Sequence, residues 1–278
     1  MNRETEEVKH NKPRVAASSY LNSAPLIWSF LHGERQSEIE LVTDTAPARC
    51  AQMLARSEVE AALVPVIEYQ RIPNLVVVPH VCVGARSRVR SVVLVTREEI
   101  DNLSRVRSVA LDISSRTSVA LVQIIFREFL SIEPEWTEHA PDVAAMLSVC
   151  DAALIIGDPG MTFPRERVGV YDLAELWRKH TGLGFVFAMW MAQEDMADQI
   201  RRVDFAGARD EGLANIEEIA ALYKDRVGLS FNDIRDYLLE NISFELTEEL
   251  RAGLELFYRL AHKHRIIPEV LPLKMISE

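Results

Sequence analysis

Short apolar runs and amphipathic segments alternate along most of this chain. Val15-Ala16-Ala17 is an apolar run of strand length; after a polar break, apolar positions from Leu26 to Phe30 predict a helix over 25–32. The pattern recurs with Ile39-Glu40-Leu41-Val42 and a helix over 47–56, opened by Asp44, Thr45 and Pro47. A strand over 61–66 leads to a short helix near 67–71, and β-branched runs at 75–78 and 91–96 close this first series. Arg97-Glu98-Glu99-Ile100-Asp101 reads as a polar helical bridge to a second series. That series comprises a strand over 108–113 and a helix whose one face carries Val119, Val122, Ile125, Phe126 and Phe129. A helix over 142–149 follows, then a buried strand over 152–156 ending at Gly157-Asp158, and a last apolar strand over 185–190. The final third is helical, over 208–226, 231–240 and 247–264, the last capped by Thr247 with Glu248 and Glu249 in its first turn.

Strands and helices in alternation predict an α/β fold with largely parallel strands. Residues 97–184 form a unit inserted between 1–96 and 185–278, so the expected architecture is two lobes, the first discontinuous. The chain crosses between them near 92–96 and again near 184–190. Two crossover strands joining two α/β lobes make a hinge, and the cleft between the lobes is the natural ligand site.

Charge and composition narrow the function. The chain has 278 residues, 48% hydrophobic and 26% charged, the balance of a protein with a sizeable buried core. A net charge of −11 argues against a general nucleic-acid binder and against a polybasic membrane patch. An anionic ligand would therefore be held by local donors, against the long-range field of the protein. Residues 1–12 read as a charged, disordered leader without the apolar core of a secretion signal, and no run reaches the length of a membrane span. Cys50, Cys82 and Cys150 are few and scattered, as expected for buried reduced thiols in a cytoplasmic protein. No histidine has metal-ligand spacing, and there is no glycine-rich nucleotide loop or nucleophile-elbow motif. Neither a metal nor a cofactor is expected, and monomer and homodimer are both compatible with the sequence.

Two strand-to-helix turns carry the candidate chemistry. In the first, Ser19-Tyr20-Leu21-Asn22-Ser23-Ala24-Pro25, Asn22 and Ser23 stand at the expected N-cap and Pro25 in the first turn. Free backbone N–H groups at such a helix start favour a carboxylate or phosphate. In the second, Ser114, Ser115, Thr117 and Ser118 surround Arg116 directly before an amphipathic helix. One hydroxyl suffices for a cap, so four hydroxyls and a guanidinium fit an anion cradle, facing Asn22 and Ser23 across the cleft. Ser91, at the start of a crossover strand, and Glu68, beside Tyr69, are further candidates for the cleft wall. Gly157 and Asp158 end a buried strand, where Asp commonly caps the next turn.

These residues resemble the chorismate dehydratases of menaquinone biosynthesis (the MqnA family). The resemblance begins with Ser19 to Pro25, similar to that family's SYLN-x-x-P signature, and continues through Ala62-Leu63-Val64-Pro65-Val66-Ile67-Glu68-Tyr69 and Ser91-Val92-Val93-Leu94-Val95. It includes Ser115-Arg116-Thr117-Ser118-Val119, Leu154-Ile155-Ile156-Gly157-Asp158 and Tyr171-Asp172-Leu173. It ends with Trp177, Thr181-Gly182-Leu183-Gly184-Phe185-Val186-Phe187-Ala188 and Trp190. The family departs from this chain at Gly184, where it has proline, which implies a looser return hinge here. The segment Arg88-Val89-Arg90 is also more basic than the family's.

The resemblance implies a periplasmic-binding-protein-like fold (type II, Venus flytrap) and loss of water from chorismate, a dianion, to give 3-[(1-carboxyvinyl)oxy]benzoate on the futalosine route. It implies substrate contacts from Ser19, Tyr20, Asn22, Ser23, Glu68, Ser91, Ser114, Ser115, Arg116, Thr117, Ser118, Gly157 and Asp158. No histidine lies in the matching blocks and Asn22 is neutral. The expected base is therefore the substrate's own enolpyruvyl carboxylate, held by Asn22 and Ser91, with Glu68 as the alternative base. Two other functions fit a lobed α/β chain: a non-catalytic binding protein for a small carboxylate, and the related 1,4-dihydroxy-6-naphthoate synthase. That synthase carries an SPCPND-like segment where this chain has SSYLNSAP.

Overall fold

A computed structural model describes residues 12–277; all of the expected leader except Lys12 lies outside the described residues. Two five-stranded sheets organise the chain. The first contains β1 (Arg14–Ser18), β2 (Glu40–Asp44), β3 (Ala61–Pro65), β4 (Leu75–Ala85) and β10 (Phe185–Gln193), in the order β2-β1-β3-β10-β4. The second contains β5 (Val92–Arg97), β6 (Ser108–Asp112), β7 (Glu135–His139), β8 (Ala152–Ile156) and β9 (Val168–Asp172), in the order β7-β6-β8-β5-β9. The two orders correspond position by position, so the lobes are built alike.

The sheets are mixed rather than largely parallel. β1 pairs in parallel with β2 and β3, and β6 with β7 and β8. β10 runs antiparallel to β3 and β4, and β5 antiparallel to β8 and β9. The reversed strand in each sheet is the one the chain lays down directly after passing from the other lobe, so it enters from the opposite end. Val92–Arg97 therefore belongs wholly to the second sheet, and the first passage lies in 86–91 rather than at 92–96. The second passage lies in 182–184, just before β10. Arg97-Glu98-Glu99-Ile100-Asp101 is not helical: it closes β5 and turns toward a short 3-10 turn at Leu103–Arg105, because Arg97 stays in the ladder opposite Val168.

Central strands β3 and β8 are buried at every position, as expected where helices cover both faces of a sheet. Eleven α-helical segments are present among the described residues. They are α1 (Ala24–Leu31), α2 (Pro47–Ala55), α3 (Thr117–Ile124), α4 (Val143–Val149), α5 (Asp158–Thr162), α6 (Leu173–Thr181), α7 (Ala197–Ile200), α8 (Phe205–Ala214), α9 (Ile216–Val227), α10 (Phe231–Asp236) and α11 (Glu248–Lys263). The helix expected over 208–226 is two helices, broken at Asn215, and the one expected over 231–240 changes to π geometry at Tyr237–Asn241. Thr247 caps α11 as expected, its hydroxyl accepting the Leu250 N–H at 3.4 Å.

Both passages between the lobes are pinned. Asp172, at the end of β9, accepts the N–H groups of Val89 and Arg90 from the first passage while capping α6 through Ala174 and Glu175. Burial pushes this carboxyl above its usual range, against the pull of those N–H donors. The second passage is held by Trp177, whose indole N–H donates to the Gly184 carbonyl at 3.1 Å. Gly184 does not loosen this segment. A side chain there would meet Leu250 and the Ala85 carbonyl, and a Cβ on Gly253 of α11 would meet the Gly184 carbonyl. The glycine lets α11 lie close against the return strand. The three cysteines are buried free thiols, and burial pushes Cys50 up to about 12.

Candidate active site

The two strand-to-helix turns face each other across the space between the sheets. A cavity of about 50 Å³ lies between them, bordered by Asn22 on one side and Thr117 on the other. The two lobes stand closed on one another around it. Direct contacts across the cleft agree. The Ile67 N–H donates to Thr117 Oγ1 at 3.3 Å, the Leu21 N–H donates to Asp158 Oδ1 at 3.0 Å, and the Tyr20 ring lies against Gly157.

Of the expected residues, Tyr20, Asn22, Ser23, Ser114, Ser115, Arg116, Thr117, Ser118 and Gly157 line this cavity. Ser19, Glu68, Ser91 and Asp158 are not among its lining residues. The Ser19 carbonyl accepts from Arg226 Nη2 at 3.1 Å. Glu68 is paired with Arg71 at 3.1 Å. Ser91 is fully buried one residue before β5, and its Oγ accepts the hydroxyl of Tyr237 at 2.7 Å; Val92, the next residue, takes the cavity wall instead. Asp158 opens α5 and spends its carboxylate on Leu21, so it holds the other lobe rather than a ligand.

The rest of the wall was not singled out from the sequence. Leu63, Pro65, Val83, Val92, Ile156 and Phe187 give it an apolar lining, and they are the inward residues of strands that signal only a core in sequence. Asp112 and Tyr237 were also missed. Asp112, at the end of β6, accepts both the N–H and the hydroxyl of Ser114 and, at 3.3 Å, the N–H of Ile156. Burial raises the carboxyl of Asp112, and the Ser114 bonds oppose that rise. Tyr237 sits inside a helix, where nothing distinguishes it from other core aromatics; burial raises its phenol well above the usual value.

The helix start on the second lobe is open. The first bond of α3 runs from the Ala120 N–H to the Arg116 carbonyl, and Arg116 makes no side-chain cap. Among the described residues, the N–H groups of Thr117, Ser118 and Val119 have no acceptor, and they project at the positive end of the helix beside four hydroxyls and a guanidinium. The start on the first lobe is different. The Leu21 N–H goes to Asp158, the Ser23 N–H to Tyr20 and the Ala24 N–H to Leu21, while Pro25 has none. Its offer to the cavity is the Asn22 amide, held by the Ser23 hydroxyl at 3.3 Å, which in turn meets Ser18 Oγ at 3.0 Å. Among the described residues, no aspartate, glutamate or histidine lines the cavity and Tyr20 is its one phenol, which burial raises.

Comparison with known proteins gives the lineage. Residues 13–263 match a family model described as menaquinone biosynthesis. The chain is 30% identical, over 86% of its length and 91% of the relative's, to a chorismate dehydratase of Thermus thermophilus. Among solved structures it resembles a protein from Archaeoglobus fulgidus (TM-score 0.75, 19% identity, 93% of this chain and 100% of that one). It also resembles the periplasmic aliphatic sulphonate binding protein of Escherichia coli (TM-score 0.65, 18% identity, 96% and 94%). These two likenesses fix the two-lobed periplasmic-binding-protein-like fold. Matched from the first strand to the end of the last long helix, this chain belongs to the menaquinone-biosynthesis family.

Proposed function

We propose that this protein is a chorismate dehydratase, a hydro-lyase that removes water from chorismate to give 3-[(1-carboxyvinyl)oxy]benzoate on the futalosine route, acting in the cytoplasm. One observation carries the reading: the closed interlobe cavity is bordered by Asn22 from one helix start and by the hydroxyl-rich start of α3 from the other.

Chorismate presents a ring carboxylate, an enolpyruvyl carboxylate and a C4 hydroxyl. Breaking the C3–H and C4–O bonds forms the C3=C4 double bond and aromatises the ring, so the reaction is strongly downhill. The C3 hydrogen is vinylogous to the ring carboxylate, and charge spreads toward that carboxylate as the proton leaves. The unsatisfied N–H groups of Thr117, Ser118 and Val119 suit this developing charge, with Arg116 and the serine hydroxyls beside them. The apolar strands that wall the rest of the cavity keep water from competing for those donors.

The proton acceptor is the substrate itself. The enolpyruvyl carboxylate, oriented by the Asn22 amide, takes the C3 proton and passes it to the departing C4 hydroxide, which leaves as water. The lining supports this, since it offers no side chain basic enough for the task. Ser91 serves from behind Val92: Tyr237 occupies one lone pair of its oxygen, leaving its hydrogen for a carboxylate. The ion-paired Glu68 has no part in the proton transfer.

The test is direct. Incubated with chorismate, the protein converts it to a species lighter by one water and bearing an aromatic ring, read by mass spectrometry and ultraviolet absorbance. Tight chorismate binding without that product would return the chain to a simple carboxylate-binding role.

A further inference from the structure

We propose that Asp158 is a positioning residue whose carboxylate reaches across the cleft and, with Thr117, forms a two-point clasp that holds the lobes shut over the substrate. The inference deepens the chorismate dehydratase reading and rests on it for its kinetic arm.

The short 3-10 turn Leu21–Ser23 on the first lobe has no cap of its own: Tyr20, the residue before it, makes no side-chain bond to its N–H groups. The missing cap comes from the other lobe, where Asp158 Oδ1 accepts the Leu21 N–H at 3.0 Å. On the opposite flank of the cavity, Thr117 Oγ1 accepts the Ile67 N–H at 3.3 Å. In both bonds the donor is first-lobe backbone and the acceptor a second-lobe side chain. With the lobes apart, all four groups would face water.

Gly157 makes the first bond possible. It adopts φ +68° and ψ −151°, a region open essentially to glycine, and a Cβ there would lie 2.7 Å from the Tyr20 ring. Closure therefore seats an aromatic ring on a bare backbone position, and the next residue delivers the carboxylate. Arg226 of α9 backs this contact from the first lobe, its guanidinium bonded to the Ser19 carbonyl at 3.1 Å and attracting Asp158. The charge of the same carboxylate adds to burial in raising the phenols of Tyr20, Tyr223 and Tyr237. A carboxylate is a poor ligand for a dianion, whereas a clasp needs only an acceptor oxygen, which an amide also supplies.

The experiment compares Asp158→Ala and Asp158→Asn in two measurements. The first is chorismate turnover, resolved into kcat and KM. The second is the interlobe distance distribution without substrate, by pulsed electron paramagnetic resonance between spin labels on Arg56→Cys and Ser148→Cys; both positions are exposed and the native thiols are buried. Circular dichroism melting of each variant establishes that it is folded. In Asp158→Ala we expect a longer-distance population and a roughly tenfold to hundredfold loss of kcat/KM, mostly in KM, the size set by a charged hydrogen bond. Asp158→Asn is expected to recover most of both. The clasp is overturned if Asp158→Ala keeps the wild-type distances, or if Asp158→Asn fails in turnover as badly as alanine while its distances stay wild-type, which would assign the carboxylate to proton transfer. Absence of chorismate turnover in the wild-type protein would bring down the enzymatic reading alone, because the distance measurement still decides the clasp.

Discussion

The two helix starts that face each other across the cleft look equivalent in sequence and do opposite things. Each follows the central-flank strand of its sheet, β1 or β6, and each is rich in small polar residues. At the start of α3 the carboxylate of Asp112 engages Ser114 and Ile156, neither of them in the helix, so the first-turn N–H groups stay free for a ligand. At the start of α1 a 3-10 turn intervenes, the N–H groups of Leu21 and Ser23 are consumed, and Pro25 removes one more. The second lobe thus supplies a charge-stabilising surface and the first supplies one oriented amide and the contacts that close the cleft. A helix start binds an anion only where its donors are left unspent, and that depends on what the neighbouring lobe brings to them.

Several substitutions sharpen or break this division of labour. The largest effect is expected at the single amide of the first lobe: Asn22→Ala should lower kcat by roughly a hundredfold to a thousandfold, the cost of losing one preorganised donor. A kcat within a few-fold of wild type would end its central role. At the other start the donors are several, so Thr117→Val, which keeps the side-chain shape, should cost about tenfold in kcat/KM, read mainly in KM because the bond to the Ile67 N–H goes too. Behind the wall, Tyr237→Phe removes the hydrogen bond to Ser91 and should lower stability by about 1 kcal/mol in a denaturant titration, with a few-fold loss of turnover. The smallest effect is expected at Glu68→Gln, less than twofold in kcat, since that carboxylate is bound to Arg71 away from the cavity. A loss of orders of magnitude there would make Glu68 the base and remove the case for substrate assistance.

Much of this was legible in the chain. The apolar runs of β1, β3, β8 and β10 and the amphipathic α11 follow from periodicity, because a buried strand and a one-sided helix each impose a spacing on their apolar residues. The exposed edge strand β7 and the half-buried β9 went unread, since neither has a continuous apolar run. The candidate site was legible where polar residues crowd a helix start beyond what capping requires, as at Ser114 to Ser118. It was less legible at Ser91, Glu68 and Asp158, which do not line the cavity: Ser91 and Asp158 are bound by partners remote in sequence, Tyr237 and Leu21 of the other lobe, and Glu68 by Arg71 three residues on.

By itself, then, the sequence determined the two-lobed α/β plan, the two polar turns and the kind of ligand they suit, because local periodicity and local chemistry are written residue by residue. The tertiary structure decided which donors remain free, that each sheet carries one reversed strand, and that Asp158 serves the opposite lobe. Those outcomes depend on pairings between segments far apart in the chain, such as Leu21 with Asp158, and no local pattern encodes which distant group arrives to use a donor.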